Sequence, residues 1–136
     1  MESVLVTGGG GFIGSHLVRE LLEQWYAVRL LDNFFSGRRE NIEDILGDIE
    51  LIDDPEGLLS VDVCERAVRD VDFILHQGAV PSVPRSLAEP VYTDRVNVGG
   101  TVSLLEAARK AGVSRFVYAS SSSVYGGAPG EIRSED

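Results

Sequence analysis

The chain has 136 residues, 43% hydrophobic and 25% charged, and carries a formal net charge of −10. These values suit one soluble globular domain and argue against a nucleic-acid backbone or an anionic membrane as partner, since both need a basic face. Its apolar runs fall short of the roughly 18 residues of a membrane span. The N-terminus has no secretory pattern, and Cys64, the single cysteine, excludes an internal disulfide and suggests a reducing, cytoplasmic setting.

Apolar runs alternate with helix-period segments, the pattern of βαβ units and a parallel sheet. A first strand is expected over 3–7 (SVLVT), then a helix over 12–24 and a strand over 27–32 (AVRLLD). A helix over 41–47, a strand over 49–53 (IELID) and a helix over 62–70 follow. A strand over 71–76 (VDFILH) leads to a long helix over 87–111, with Pro90 in or before its first turn and Gly112 as its C-terminal cap. The fifth strand is 114–119 (SRFVYA), and from Gly126 onward glycine, proline and charge read as loop. The fold class expected is α/β: a Rossmann-type doubly wound parallel sheet, cut short after about five strands. Cys64 is expected to be buried and structural, and His76 to be a satisfied core histidine.

The first strand runs directly into VLVTGGGGFIGSHL, where Gly8, Gly11 and Gly14 are spaced G-x-x-G-x-x-G and Phe12-Ile13 open a helix. A strand that turns sharply into a helix aims the helix's first N–H groups at an anion. Glycine supplies positive φ at the turn and removes the Cβ where backbone would meet a pyrophosphate. Asp32 ends the second strand 18 residues after Gly14, where a carboxylate can accept both ribose hydroxyls of an adenosine. That carboxylate favours NAD over NADP, because a 2′-phosphate at about 4 Å would be repelled by roughly 4 kcal/mol at an effective dielectric near 20. Arg38 and Arg39 lie nearby and could instead hold a 2′-phosphate, although such a loop pair is more often solvated. No metal site is expected.

With Thr7 to His16, the stretches Leu31-Asp32-Asn33, Ser36 to Asn41, Phe73 to Ala79, Asn97 to Thr101 and Ser120 to Gly126 resemble the extended short-chain dehydrogenase/reductases, specifically the nucleotide-sugar epimerases and dehydratases. The resemblance covers nearly the whole chain, in the family's order. It implies that Gly8, Gly11, Phe12, Ile13 and Gly14 cradle the pyrophosphate of NAD. Asp32 and Asn33 would hold the adenosine ribose, Ser36 and Gly37 would close over that end, and Gln77, Gly78 and Ala79 would line the cofactor. Asn97 would contact or order the cofactor side of the site; a solvated or helix-bridging amide is the alternative.

The resemblance also implies roles in catalysis. Ser121 would position the sugar's reacting hydroxyl, with Ser123 the next hydroxyl on the site side. The family's base is the tyrosine of a Tyr-x-x-x-Lys pair. Here Tyr26, Tyr92, Tyr118 and Tyr125 are followed four residues on by Leu30, Val96, Ser122 and Pro129, so none forms it. The 4,6-dehydratases place an Asp-Glu pair just before Val-Tyr-Gly; this chain has Ser122 and Ser123, which disfavours dehydration. The implied activity is 4-epimerisation of a nucleotide sugar, a UDP-sugar, by reversible hydride transfer through a 4-keto intermediate. The intact family member would be a homodimer, and its fold would continue into a catalytic helix and a substrate domain. A stand-alone NAD-binding module, a reductase, and a dehydratase or decarboxylase of the same superfamily are the alternatives. The family's adenine-contacting Asp is not placed: Asp54, Asp62 and Leu58 compete for it. Trp25 stands where the family has a helix-ending glycine, so that helix is expected to lack its left-handed residue.

Overall fold

The structure, a computed structural model, describes residues 1–127. Five strands form one parallel sheet: β1 (Ser3–Thr7), β2 (Ala27–Asp32), β3 (Ile49–Asp53), β4 (Phe73–His76) and β5 (Arg115–Tyr118). Their order in the sheet is β3-β2-β1-β4-β5, with β1 paired to β2 on one side and to β4 on the other. Strand alternation then divides the core between the two faces. Val4, Val6, Val28 and Leu30 pack with Val18 of α1 (Phe12–Glu23) on one face. Leu5, Leu31, Ile52 and Ile74 pack with α2 (Val61–Ala67) and α5 (Thr101–Ala111) on the other. This is the doubly wound sheet the sequence predicts. Successive strands are added on one side of β1 as far as β3 and on the other side from β4, and this switch opens a crevice at the carboxyl ends of β1 and β4.

Three predicted helices differ in the structure. The segment 41–47 forms two 3₁₀ turns, Arg39–Asn41 and Glu43–Ile45, with Ile42 and Ile45 buried beneath them. The helix expected over 62–70 is shorter, and its start is fixed by the Ser60 side chain accepting from the Val63 amide at 3.3 Å. The long helix expected over 87–111 begins earlier and is broken into α3 (Val83–Ala88), α4 (Pro90–Asp94), a π-helical segment Arg95–Gly100, and α5. Ser82 caps α3 by accepting from Arg85 N. Pro90 forces Glu89 out of the helical region, to φ −130°, ψ 60°, which separates α3 from α4. Within the π segment, Gly100 meets Leu58 where a Cβ would lie 2.8 Å from the leucine Cβ. Gly112 ends α5 at φ 76°, the left-handed cap expected of it.

The end of α1 corrects the expectation for Trp25. The left-handed residue is present and is Trp25 itself, at φ 65°. Its amide donates to Leu22 O at 3.1 Å and the Tyr26 amide donates to Leu21 O at 3.0 Å, the paired bonds of a Schellman motif. The hydrogen bonds hold a bulky residue where glycine is preferred, at a cost of about 1–2 kcal/mol. Trp25 is 82% exposed and loses little packing on removal. Trp25→Gly should therefore stabilise the chain by about 1 kcal/mol in urea unfolding, after the entropy glycine adds to the unfolded chain. An unchanged or lower midpoint would show that the tryptophan ring stabilises the helix end.

Candidate functional site

The crevice is a cavity of about 350 Å³. Its floor is backbone. Gly8 turns out of β1 at φ +69°, and a Cβ there would lie 2.8 Å from the amide nitrogen of Gly78. One turn on, a Cβ at Gly14 would lie 2.2 Å from Gly8 O. The Gly8 carbonyl also accepts from Gly11 N at 3.1 Å, so the turn is closed on itself as α1 begins. The result is a helix N-terminus brought against strand ends with no side chain between them, the shape required for a bound pyrophosphate.

Of the residues predicted for cofactor binding, Gly8, Gly11, Phe12, Ile13 and Gly14 line this cavity. Asp32, Asn33, Ser36 and Gly37 form its β2 end, and Gln77, Gly78 and Ala79 its β4 wall. Asn97 does not line it. Its amide bridges to the wall instead, accepting from Val80 N at 2.7 Å and donating to Val80 O at 3.2 Å. The side chain thus ties the segment Arg95–Gly100 to the loop after β4. Ser121 and Ser123 are exposed, follow β5 at the same edge of the sheet, and bond to each other at 3.1 Å.

Asp32 is 9% exposed. Its two carboxylate oxygens accept from Gly10 N at 2.8 Å and Phe34 N at 2.7 Å. These bonds fix the carboxylate and leave each oxygen a further acceptor position toward the cavity. Arg39 is engaged elsewhere. It pairs with Asp53, and its guanidinium lies 4.7 Å over the Phe34 ring.

After β3, Glu56, Gly57, Leu58 and Leu59 line the cavity. Asp54 instead accepts from Glu56 N at 3.0 Å and pairs with Arg66 at 3.6 Å, and Asp62 is exposed on α2. Of the three competing residues, Leu58 lines the cavity and Asp54 and Asp62 do not. Phe35 and Tyr92 were missed by sequence reasoning. They line the cavity with ring centroids 5.6 Å apart, and Arg85 stacks on Phe35 at 4.7 Å. Neither carries a motif; only the fold brings a β2 loop against α4.

Cys64 is fully buried, and burial pushes its thiol up to about 11, with Glu65 adding to the shift. At neutral pH it is a core thiol. His76 is 2% exposed and fully hydrogen-bonded, as expected: Nδ1 lies 2.6 Å from Thr7 Oγ1 and Nε2 2.9 Å from Thr101 Oγ1.

The family profile described as the NAD dependent epimerase/dehydratase family matches residues 4–136, and the chain belongs to that family. It is 41% identical over 128 residues to a putative UDP-glucose 4-epimerase of Methanocaldococcus jannaschii, covering 90% of this chain and 39% of that protein. It is 37% identical over 135 residues to UDP-glucuronic acid decarboxylase 1 of Danio rerio, covering 99% of this chain and 31% of that one. Among solved structures, the UDP-glucose 4-epimerase of Thermus thermophilus in complex with NAD superposes with a TM-score of 0.87 at 39% identity, over 98% of this chain and 42% of that one. The chain therefore spans about two fifths or less of the length of these relatives.

Burial lowers the pKa of His76 from 6.5 to about 4. A base whose folded pKa is depressed keeps its contribution to stability above the unfolded pKa and loses it as pH falls toward the folded value. His76 should thus cost the fold about 3 kcal/mol between pH 6.5 and about 4. Urea unfolding across this range should show the parent losing that much more than His76→Gln; equal losses would mean that the imidazole is readily protonated in the folded state.

Proposed function

We propose that this chain is the NAD-binding portion of a nucleotide-sugar 4-epimerase of the UDP-glucose/UDP-galactose type. The observation that carries the reading is the cavity at the β1/β4 crevice, with a backbone floor at Gly8 and Gly14 and the carboxylate of Asp32 at one end. The Gly8–Gly14 turn would hold the pyrophosphate and Asp32 the adenosine ribose, with Asn33, Ser36 and Gly37 beside it. Gln77, Gly78 and Ala79 would line the remainder. Bound there, NAD supplies reversible oxidation and reduction at a sugar carbon.

Ser121 would orient the sugar's 4-hydroxyl, with Ser123 held against it. No tyrosine in the chain has a lysine four positions on, so the base would come from a part of the intact enzyme outside these 136 residues. The substrate-binding domain would lie there too. Ser122 and Ser123 favour epimerisation over dehydration, because hydroxyls cannot replace the acid and carboxylate that eliminate water.

Calorimetry with both cofactors tests the site. NAD(H) should bind in preference to NADP(H), and Asp32→Ala should narrow the gap by a few kcal/mol at most. Equal affinity in the parent would overturn the assignment of Asp32.

Incubating the 136-residue chain with NAD and UDP-glucose or UDP-galactose should give no detectable interconversion. Loss of a base alone removes about 10²–10⁴-fold, and loss of sugar positioning removes more. Turnover abolished by Ser121→Ala would show that a base lies within these residues.

The intact protein is proposed to be a homodimer. Leu87, Val91, Val98, Val102 and Leu105 form an exposed apolar stripe along α3, α4, the π segment and α5, which supports such an interface. Val98→Lys should lower the mass seen by sedimentation equilibrium; a parent chain that is monomeric at high concentration would count against this surface.

A further inference from the structure

The β4 wall of the cavity, from Gln77 to Pro81, belongs to no helix or strand, yet four hydrogen bonds fix it. Gln77 N donates to Thr7 O at 3.2 Å and Gly78 N to Thr7 Oγ1 at 3.0 Å. The Asn97 amide takes both backbone groups of Val80. Thr7 and Asn97 are joined behind the wall through His76 and Thr101, because Thr101 Oγ1 also donates to Asn97 O at 2.6 Å.

The protons in this relay follow from its partners. A backbone carbonyl only accepts, so the Thr101 hydroxyl proton goes to Asn97 O. The Thr101 oxygen must then accept from His76, which places the imidazole proton on Nε2. Nδ1 is left as an acceptor and takes the Thr7 hydroxyl proton, so the Thr7 oxygen is free to accept from Gly78 N. The other tautomer, and the imidazolium, each leave the Thr7 proton without a partner. The titratable ring that stacks on His76 is Tyr118 of β5, at 6.0 Å, with Phe116 at 5.7 Å. Burial is what lowers the His76 pKa.

We propose that His76, held as its neutral Nε2-protonated tautomer, is a positioning residue of the nucleotide site: it dictates the direction of the Thr7 hydroxyl, and thereby the placing of the Gly78 amide against the cofactor. This rests on the nucleotide-site reading above. His76 touches no ligand in this arrangement; it acts through Thr7.

In ¹⁵N NMR of the 136-residue chain, the imidazole of His76, assigned separately from that of His16, should carry one proton, on Nε2, from about pH 8 to about pH 5.5. A proton on Nδ1, or an imidazolium in that range, overturns the proposal. His76→Asn keeps an acceptor near the Nδ1 position, whereas His76→Leu keeps bulk alone. With folding checked by near-UV dichroism, the leucine variant should bind NAD about tenfold more weakly and the asparagine variant within about threefold of the parent, as one lost hydrogen bond requires. The Gly78 amide resonance should move in the first and stay in the second. A folded leucine variant with parent affinity and an unmoved Gly78 resonance refutes the role. If that variant does not fold, Thr7→Val against Thr7→Ser makes the same comparison. A parent that fails to bind NAD refutes the nucleotide-site reading instead, while the tautomer and the Gly78 resonance still decide whether His76 sets the wall.

Discussion

The site depends on backbone meeting backbone at Gly8. The chain leaves β1 there in the left-handed region, packs against Gly78 after β4, and receives the first turn of α1 through Gly14. Each approach is closer than a Cβ permits. The sheet supplies the rest, because β1 lies between β2 and β4 and all three end at one edge. Residues separated by up to 71 positions in sequence, Thr7 and Gly78, thus become hydrogen-bonded neighbours.

Polar side chains then fix what the glycines leave open. Asp32 accepts from Gly10 N and from Phe34 N, which ties the glycine turn to the loop after β2. Arg38 N and the Asn41 side chain both donate to Gly10 O, at 2.9 and 2.8 Å, which holds the same turn from the other side. On the β4 side, Thr7, His76, Thr101 and Asn97 have the equivalent role. These bonds tie the glycine turn, the loop after β2 and the loop after β4 to the scaffold.

The sheet and the glycine turn were legible in the sequence because both follow short-range rules. A strand–glycine–helix transition and an acidic residue ending the next strand are read directly from spacing. The long helix was not, since its breaks come from Pro90 acting on Glu89 and from tertiary packing of Gly100 on Leu58. Trp25 was misread for a related reason: the α1 end takes a left-handed turn that its hydrogen bonds impose against residue preference. Phe35 and Tyr92 reach the cavity only through the fold, so no local signal marks them. His76 was read as a satisfied core histidine, and its partners Thr7 and Thr101 come from elsewhere in the chain, so only the fold reveals them.

The dinucleotide is proposed to lie across the Gly8 turn, between Asp32 and the β4 wall. Amide chemical-shift mapping during titration with NAD tests it most directly. The largest changes should fall on the amides of residues 8–14, 33–37 and 77–80, with those of α5 and β5 little affected. Changes centred on α3 and α5, or an absence of change in the glycine turn at saturating NAD, would contradict it.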